Sequence, residues 1–233
     1  MKPRAYFVTG TDTAVGKTLV AAALLHAANA RGWSTIGLKP VAAGGVSHDG
    51  TYVNEDARLL QATASIPLDY AAVNPVVLHD AMAPHIAAAR DGRRLNADEL
   101  AAHCRRQLDA SHAEFAVAEG AGGWLVPLDA PATMADLAAD LGWPVILVVA
   151  MQLGCLNHAL LTAREIDAAG LTLAGWVANV TGATMAAEAE NLATLDDWLP
   201  APRIGLIRNL GPDPRVADAA AHLDLSLLPD PAQ

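Results

Sequence analysis

Aromatic side chains are scarce in this chain: Phe, Trp and Tyr together make up 4% of its 233 residues. The interior must therefore be filled by aliphatic residues and closely packed helices, and much of the 53% apolar fraction is alanine. Cysteine is nearly absent. Cys104 and Cys155 alone exclude a disulfide framework as the source of stability. Positive charge is in deficit, with 15 Lys and Arg against 25 Asp and Glu and a formal net charge of −10. Phosphate backbones and anionic lipid repel such a surface, which argues against nonspecific binding to nucleic acid or a membrane. An anionic ligand would have to be held by a local electropositive site. No apolar run approaches the ~18 residues of a membrane span, and Pro144–Ala150 reads as a short buried strand. The N-terminal Met1–Ala5 leads into a strand and a loop rather than an apolar segment, so no signal peptide is expected and the expectation is a soluble cytoplasmic protein. The length fits a single domain, residues 1–233, large enough to bury a sizeable core.

What the chain does have is Gly10-Thr-Asp-Thr-Ala-Val-Gly-Lys-Thr18, a glycine-bounded loop ending in Gly-Lys-Thr. A β-prone stretch, Ala5–Thr9, precedes it, and Leu19–Ala28 follows with the composition of a helix. Strand, loop, helix is the setting in which Gly-Lys-Thr binds phosphate. Glycines let the loop wrap closely, so that successive backbone N–H groups point at an anion. The new helix adds its unpaired N–H groups and the positive end of its dipole. Lys17 would reach the β- and γ-phosphates and the Thr18 hydroxyl would ligate Mg²⁺. Five residues separate Gly10 from Gly16, where the usual spacing is four, so the strict motif begins at Thr11.

Strand and helix patterns alternate along the rest of the chain. Ser34–Lys39 reads as a strand, and Lys39 falls at its C-terminal end, where open α/β sheets place ligands. Val41–Val53, rich in glycine and small residues, reads as a loop. Its Ser47-His48-Asp49 cannot converge as a triad from adjacent positions. Asn54–Gln61 opens a helix with Asp56 in its first turn. There a carboxylate either complements the helix dipole or reaches a metal beside the phosphates. Ala71–Pro84 is interrupted by proline and reads as irregular; its His79, with His85 beyond it, lacks a credible metal spacing. Pro84–Arg90 and Ala97–Ala110 are helical, with Asn96 capping the second and Leu100, Cys104 and Leu108 sharing its buried face. Phe115–Glu119 is an apolar strand that ends in an acid. Its tip, beside a phosphate loop, suits a second Mg²⁺ contact. Gly120-Ala-Gly-Gly-Trp124 suggests close backbone approach. Thr133–Leu141 is a helix. Val145–Val149 is a strand, and Met151–His158 leads into a helix ending near Gly170. Cys155 and His158 have no partner pair that would complete a metal site. Leu173–Asn179, Thr184–Leu199 and Arg203–Ile207 read as strand, helix and strand, and the tail from Arg208 holds one further helix. The alternation implies an α/β fold: a mainly parallel central sheet with helices on both faces, of P-loop NTPase type.

Several of these stretches together resemble the dethiobiotin synthetase family. They are the extended loop Gly10–Thr18, Lys39-Pro-Val41, Val73-Asn-Pro75, Glu119-Gly-Ala-Gly-Gly-Trp124, Pro144–Val149, Leu153-Gly-Cys-Leu-Asn-His-Ala159 and Gly175-Trp-Val-Ala-Asn179. The likeness runs from about residue 5 to residue 207, and the loop spacing is the family's own. It implies carboxylation of 7,8-diaminopelargonate by CO₂ and an ATP-driven ring closure with Mg²⁺, in biotin biosynthesis. The resemblance assigns catalytic roles to Lys39, Lys17 and Thr11, and metal ligation to Thr18, Asp56 and Glu119. It assigns ATP binding to Ala14, Val15, Gly16, Lys17, Thr18 and Leu19, to Asp56, to Glu119, Gly120, Ala121 and Gly122, to Asn179 and Val180, and to Arg208, Asn209 and Leu210. Substrate contacts fall to Thr11, Lys39, Ala43, Gly154, Cys155 and Asn157. The last three imply a homodimer in which the helix start after Val149 serves the neighbouring subunit's site.

The chain departs from the family's common pattern at Ala14, often Glu, at Ala43, commonly Ser, and at Arg208, often Pro. Two rival readings share the core. An amidoligase would need a glutaminase domain, for which there is no room. A partitioning ATPase, a nucleotide-switched binding module, usually carries an extra lysine early in the loop, where Thr11 and Asp12 stand here. A charge of −10 also suits its DNA or membrane surface poorly.

Overall fold

The computed structural model describes residues 2–48 and 51–229. In chain order the elements are β1 (Arg4–Gly10), α1 (Lys17–Ala30), β2 (Thr35–Leu38), β3 (Val41–Ala43), β4 (Val46–His48), β5 (Thr51–Val53), α2 (Glu55–Thr63), α3 (Tyr70–Val73), β6 (Val76–Leu78), α4 (Pro84–Arg90), α5 (Ala97–Ser111), β7 (Phe115–Glu119), α6 (Met134–Leu141), β8 (Val145–Ala150), α7 (Cys155–Ala168), β9 (Leu173–Asn179), α8 (Glu188–Trp198), β10 (Arg203–Ile207) and α9 (Val216–Ala220), followed by a 3₁₀ turn at Leu225–Leu227.

Six strands form one parallel sheet in the order β10-β9-β8-β1-β7-β2. Each interior strand sends alternate residues to opposite faces, as a two-residue period requires. In β8, Val145, Leu147 and Val149 join one apolar cluster while Ile146 and Val148 join the other; β7 divides likewise, with Ala116 and Ala118 against Phe115 and Val117. The first face is covered by α4 to α8 and the second by α1, α2 and α9. Cys104 is fully buried between Leu100 and Leu108 on the inner face of α5. Burial pushes its thiol up to about 12, so it packs and does not react.

The register brings the functional strand ends to one edge. Val8 is paired with Glu119, Gly10 with Val148, and Ala150 with Asn179. The chain leaves β1 for β2 on one side and later returns to place β8 on the other. β1 therefore lies at the reversal of winding, where a crevice opens beyond the carboxyl ends of the strands.

Four stretches differ from the sequence expectation. The glycine-rich segment 41–53 is not simply a loop. Val41–Ala43 pairs in parallel with Val76–Leu78, and Val46–His48 pairs antiparallel with Thr51–Val53. Gly44 and Gly45 bend the chain between these strands, and they masked the β-prone Val41, Val46 and Tyr52-Val53 around them. Asp49 lies outside the described residues. The stretch 71–84, expected to be irregular, holds the end of α3 as well as β6. Helix α8 begins at Glu188 rather than Thr184, because Ala187 takes a left-handed φ of 53° that ends regular winding there. Helix α1 begins at Lys17, two residues before Leu19, so Lys17 and Thr18 occupy its first turn.

Candidate active site

The loop after β1 takes its shape from two glycines. A Cβ on Gly10 would lie 2.4 Å from Val15 Cγ2, so only hydrogen lets the strand end pass under the loop. Gly16 has a left-handed φ of 93°, and a Cβ there would meet Asn179 Nδ2 at 2.0 Å. Asn179, at the tip of β9, uses that same Nδ2 to donate to Val15 O at 2.8 Å. Thr11 N–H donates to Val148 O at 3.0 Å and ties the loop to β8. Helix α1 then starts without a side-chain cap and without an acid in its first turn. Its N-terminal donors and dipole are left to an anion. Lys17 Nζ folds back onto Asp12 O at 2.8 Å.

Opposite the loop stands Lys39, the residue after β2. Its Nζ is 2.6 Å from Glu119 Oε1, 3.2 Å from Asp56 Oδ2 and 3.2 Å from Gly120 O. Thr18 Oγ1 donates to the same Glu119 Oε1 at 2.8 Å. Glu119 is buried, and its Oε2 has no hydrogen-bond partner.

A second layer holds this group in place. Asn54 caps α2 by accepting from Ala57 N–H at 3.3 Å, which sets Asp56 in the first turn. Asn54 N–H donates to Tyr70 OH at 2.7 Å, and Tyr70 OH donates to Asn74 Oδ1 at 2.9 Å. Asn74 Nδ2 donates in turn to Lys39 O at 2.6 Å and to Val76 O at 3.0 Å. Lys39 N–H donates to Val73 O at 2.8 Å. One chain of bonds thus fixes the backbone under Lys39 relative to the helix that carries Asp56.

The lysines respond to burial in opposite ways. Burial lowers the Lys17 ammonium, Glu119 opposes this, and the nearby Lys39 charge adds to the lowering; the outcome is a pKa of about 8. Burial works on Lys39 too, but Glu119 and Asp56 together outweigh it and hold the ammonium above its ordinary value. The chain has only three lysines, Lys2, Lys17 and Lys39, and two of them are buried here.

These side chains face a cavity of about 630 Å³. Among the residues singled out from sequence, Ala14, Gly16, Lys17, Thr18, Lys39, Ala43, Asp56, Glu119, Ala121 and Gly122 line it. Val15 is buried beneath the loop, and Asn179 meets the loop from the β9 side. Arg208 and Asn209 follow β10; Arg208 Nη1 is paired with Glu188 Oε1, and Asn209 Nδ2 donates to Gly182 O at 3.2 Å. Gly154, Cys155 and Asn157, at the start of α7, are not among the residues lining the cavity. The Cys155 N–H already donates to Gln152 O at 3.0 Å, so that backbone donor is not open as expected, while Asn157 is exposed. Sequence reasoning missed Thr13, Ala42, Val126 and the wall Ala81-Met-Ala-Pro84. It also missed the Tyr70–Asn74 support, for which Asn74-Pro75 was the available signal.

The donor set suits a hard cation: a hydroxyl and two carboxylates, with a buried carboxylate oxygen left over. Among the described residues no group of three or more His, Cys, Asp or Glu could hold a metal. Phosphate oxygens and water would therefore supply the remaining ligands. No helix in the described chain is long and apolar enough to cross a membrane.

The chain is similar to known proteins in sequence and in fold. The chain matches the AAA domain family over residues 4–212. The signal recognition particle receptor FtsY from Elizabethkingia anophelis, in complex with GDP, superposes with a TM-score of 0.56 at 14% identity. It covers 94% of this chain and 60% of that one, a likeness of fold alone. An ATP-dependent dethiobiotin synthetase BioD from Cellvibrio japonicus (strain Ueda107) is 53% identical over 99% of this chain and 100% of its own length. That of Pseudomonas paraeruginosa (strain DSM 24068 / PA7) is 49% identical over 95% and 96%. BioD 1 of Escherichia coli (strain K12) is 45% identical over 96% and 98%. With identity of this order along almost every residue, and Lys17, Lys39 and Glu119 gathered on one cavity, the chain belongs to the ATP-dependent dethiobiotin synthetase family.

Proposed function

We propose that this chain carboxylates and cyclises 7,8-diaminopelargonate with CO₂ and ATP, giving dethiobiotin, ADP and phosphate. The observation that carries the reading is the pairing across one cavity of a phosphate-loop lysine, Lys17, with a buried Lys39 whose ammonium Glu119 and Asp56 hold above its ordinary value. One amine of the diamine attacks CO₂ and loses a proton, leaving a carbamate. Lys39 offsets the charge of that anion and holds it in line with the γ-phosphate. A carbamate oxygen attacks phosphorus, ADP leaves, and a carbamic–phosphoric anhydride remains. The second amine attacks its carbonyl carbon, the C–O bond to phosphate breaks, and the five-membered urea ring closes. Lys17 and the first-turn N–H groups of α1 neutralise the phosphate oxygens as charge shifts between them. Thr18, Asp56 and Glu119 would hold Mg²⁺, which when bound screens the β- and γ-phosphates. Thr11 positions the diamine, and Asn179 presents an amide to the adenine edge. The main chain from Arg208 to Leu210, with Val180, flanks the base.

The small apolar wall of Ala42, Ala43, Ala81 and Val126 suits the methylene chain of the substrate. That chain ends in a carboxylate, and no cavity-lining residue of the same subunit beyond Lys17 and Lys39 carries a positive charge. A homodimer that brings Asn157 and the α7 start of the neighbouring subunit to the cavity would complete the site. The almost fully exposed Leu153 and half-exposed Leu161 flank that region and favour burial against a second copy. The cytoplasm is its proposed location. The assignment is tested by Lys17→Ala and Lys39→Ala. Each should lower kcat by ~10²-fold or more, as expected for a lost transition-state donor, and near-native turnover in either would remove its role.

A further inference from the structure

Lys39 and the proposed metal make claims on the same two carboxylates. Its ammonium bridges Glu119 Oε1 and Asp56 Oδ2, at 2.6 and 3.2 Å. Glu119 Oε1 also accepts from Thr18 Oγ1 at 2.8 Å, so both of its lone pairs are taken. The Thr18 hydroxyl proton points at the carboxylate, whereas a metal ligand must turn a lone pair outward. A divalent ion bonded to that carboxylate oxygen at ~2.1 Å would sit within ~5 Å of the ammonium nitrogen. Two positive centres that close in a buried site repel strongly. Glu119 Oε2 is buried without a partner, so one monovalent ammonium leaves the carboxylate under-coordinated.

We propose that the Lys39 ammonium and the divalent cation are alternative occupants of the Thr18–Asp56–Glu119 seat, so that metal binding moves Lys39 off the carboxylates and toward the reacting end of the substrate. Lys39 then has a second role, as a determinant of metal affinity, distinct from its charge on the carbamate. The arrangement stores a positive charge where it is shielded and releases it when the nucleotide–metal complex is in place. Early release would leave a buried cation without a partner, which is costly. The inference rests on Thr18, Asp56 and Glu119 being the metal seat. Linkage makes the coupling reciprocal: if the metal displaces Lys39, removing Lys39 must tighten the metal.

The test needs no turnover. Mn²⁺ is titrated into the full chain with a non-hydrolysable ATP analogue and no diamine, with free Mn²⁺ read by electron paramagnetic resonance. Lys39→Met should bind Mn²⁺ ~10-fold more tightly than wild type, within the usual range of coupling between sites, and Glu119→Gln should bind it more weakly. In parallel, ¹³Cε-lysine labelling of wild type gives three signals, one for each lysine. Mg²⁺ added to the analogue complex should shift the Lys39 signal, assigned by its loss in Lys39→Met. If Glu119→Gln leaves Mn²⁺ affinity unchanged, the seat lies elsewhere and both readings fall. If Glu119→Gln weakens binding while Lys39→Met does not tighten it, or the Lys39 signal ignores Mg²⁺, the seat stands and the exchange is overturned. If Lys39→Met folds poorly, the same signal is assigned by its loss in Lys39→Arg, and the wild-type spectrum then decides the matter.

Discussion

Lys17 should make nucleotide binding depend on pH around pH 8. Its pKa is lowered from 10.5 to about 8, chiefly by burial; Glu119, Asp56 and Asp12 oppose the shift and Lys39 adds to it. Bound phosphates bring several negative charges to the ammonium and favour its protonated form. Nucleotide binding is therefore coupled to proton uptake once Lys17 begins to lose its proton. If only the protonated form binds, the dissociation constant scales as 1 + 10^(pH − 8). Affinity should then fall about tenfold between pH 7 and pH 9. Proton uptake should be ~0.1 per nucleotide at pH 7, ~0.5 at pH 8 and ~0.9 at pH 9. Run without divalent cation, the titration leaves Lys39 on Glu119 and Asp56, which hold its ammonium above its ordinary value, so Lys39 does not blur the window. Calorimetry with a non-hydrolysable ATP analogue, in pairs of buffers differing in ionisation enthalpy, reads both quantities. Binding is the right observable, since carbamate formation has its own pH dependence. The same displacement bears on folding. The folded chain holds fewer protons than the unfolded one between pH 8 and 10.5, so this contribution is a penalty of ~3 kcal/mol below pH 8, relieved as pH rises through that window. Lys17→Met should lose the binding pH dependence. A wild-type affinity flat from pH 7 to 9, or proton release on binding, would refute the assignment.

Asn74 anchors the backbone under Lys39 through Lys39 O and Val76 O and accepts from Tyr70 OH. Asn74→Ala strands these buried partners and should destabilise the fold by ~2–3 kcal/mol in urea unfolding; a loss below ~0.5 kcal/mol would show that the network carries no load. For the shared site, equal amounts of inactive Lys39→Ala and Asn157→Ala are unfolded together and refolded. A twofold dimer with composite sites collects both lesions in one site of each hybrid and leaves the other intact, restoring roughly a quarter of wild-type sites. No recovery, with hybrids confirmed by mass spectrometry, would mean each subunit builds its site alone.

The parts of the site carried by short covalent spacing are legible in the amino-acid sequence itself. Gly10 to Thr18 prescribes its own loop, because glycine geometry and a helix start act within nine residues. Lys39 and Glu119 can be placed because each ends a strand whose apolar pattern is plain, and parallel strands deliver their C-terminal ends to one edge. Asp56 cannot be assigned from position alone: a first-turn acid complements a helix dipole as readily as it meets a metal. The family resemblance assigns it to the metal, and its 3.2 Å approach to Lys39 brings it into the group. The wall Ala81-Met-Ala-Pro84 carries no signal, since small apolar residues lining a cavity look like those filling a core. Strands β3 to β5 escape detection because three-residue strands are too short for alternation to show, and β3 gains its stability from pairing with distant β6.

The central claim concerns one route for two oxygen atoms. In a single turnover with C¹⁸O₂, diamine, ATP and Mg²⁺, begun before CO₂ exchanges oxygen with water, the carbamate carries both labels. One should leave with the released phosphate and the other should remain in the ring carbonyl of dethiobiotin. Mass spectrometry should therefore find one ¹⁸O in phosphate and one in product, with no phosphate release when the diamine is omitted. Unlabelled phosphate, or release independent of the diamine, would mean that ATP is hydrolysed by water and that this cavity does not activate a carbamate.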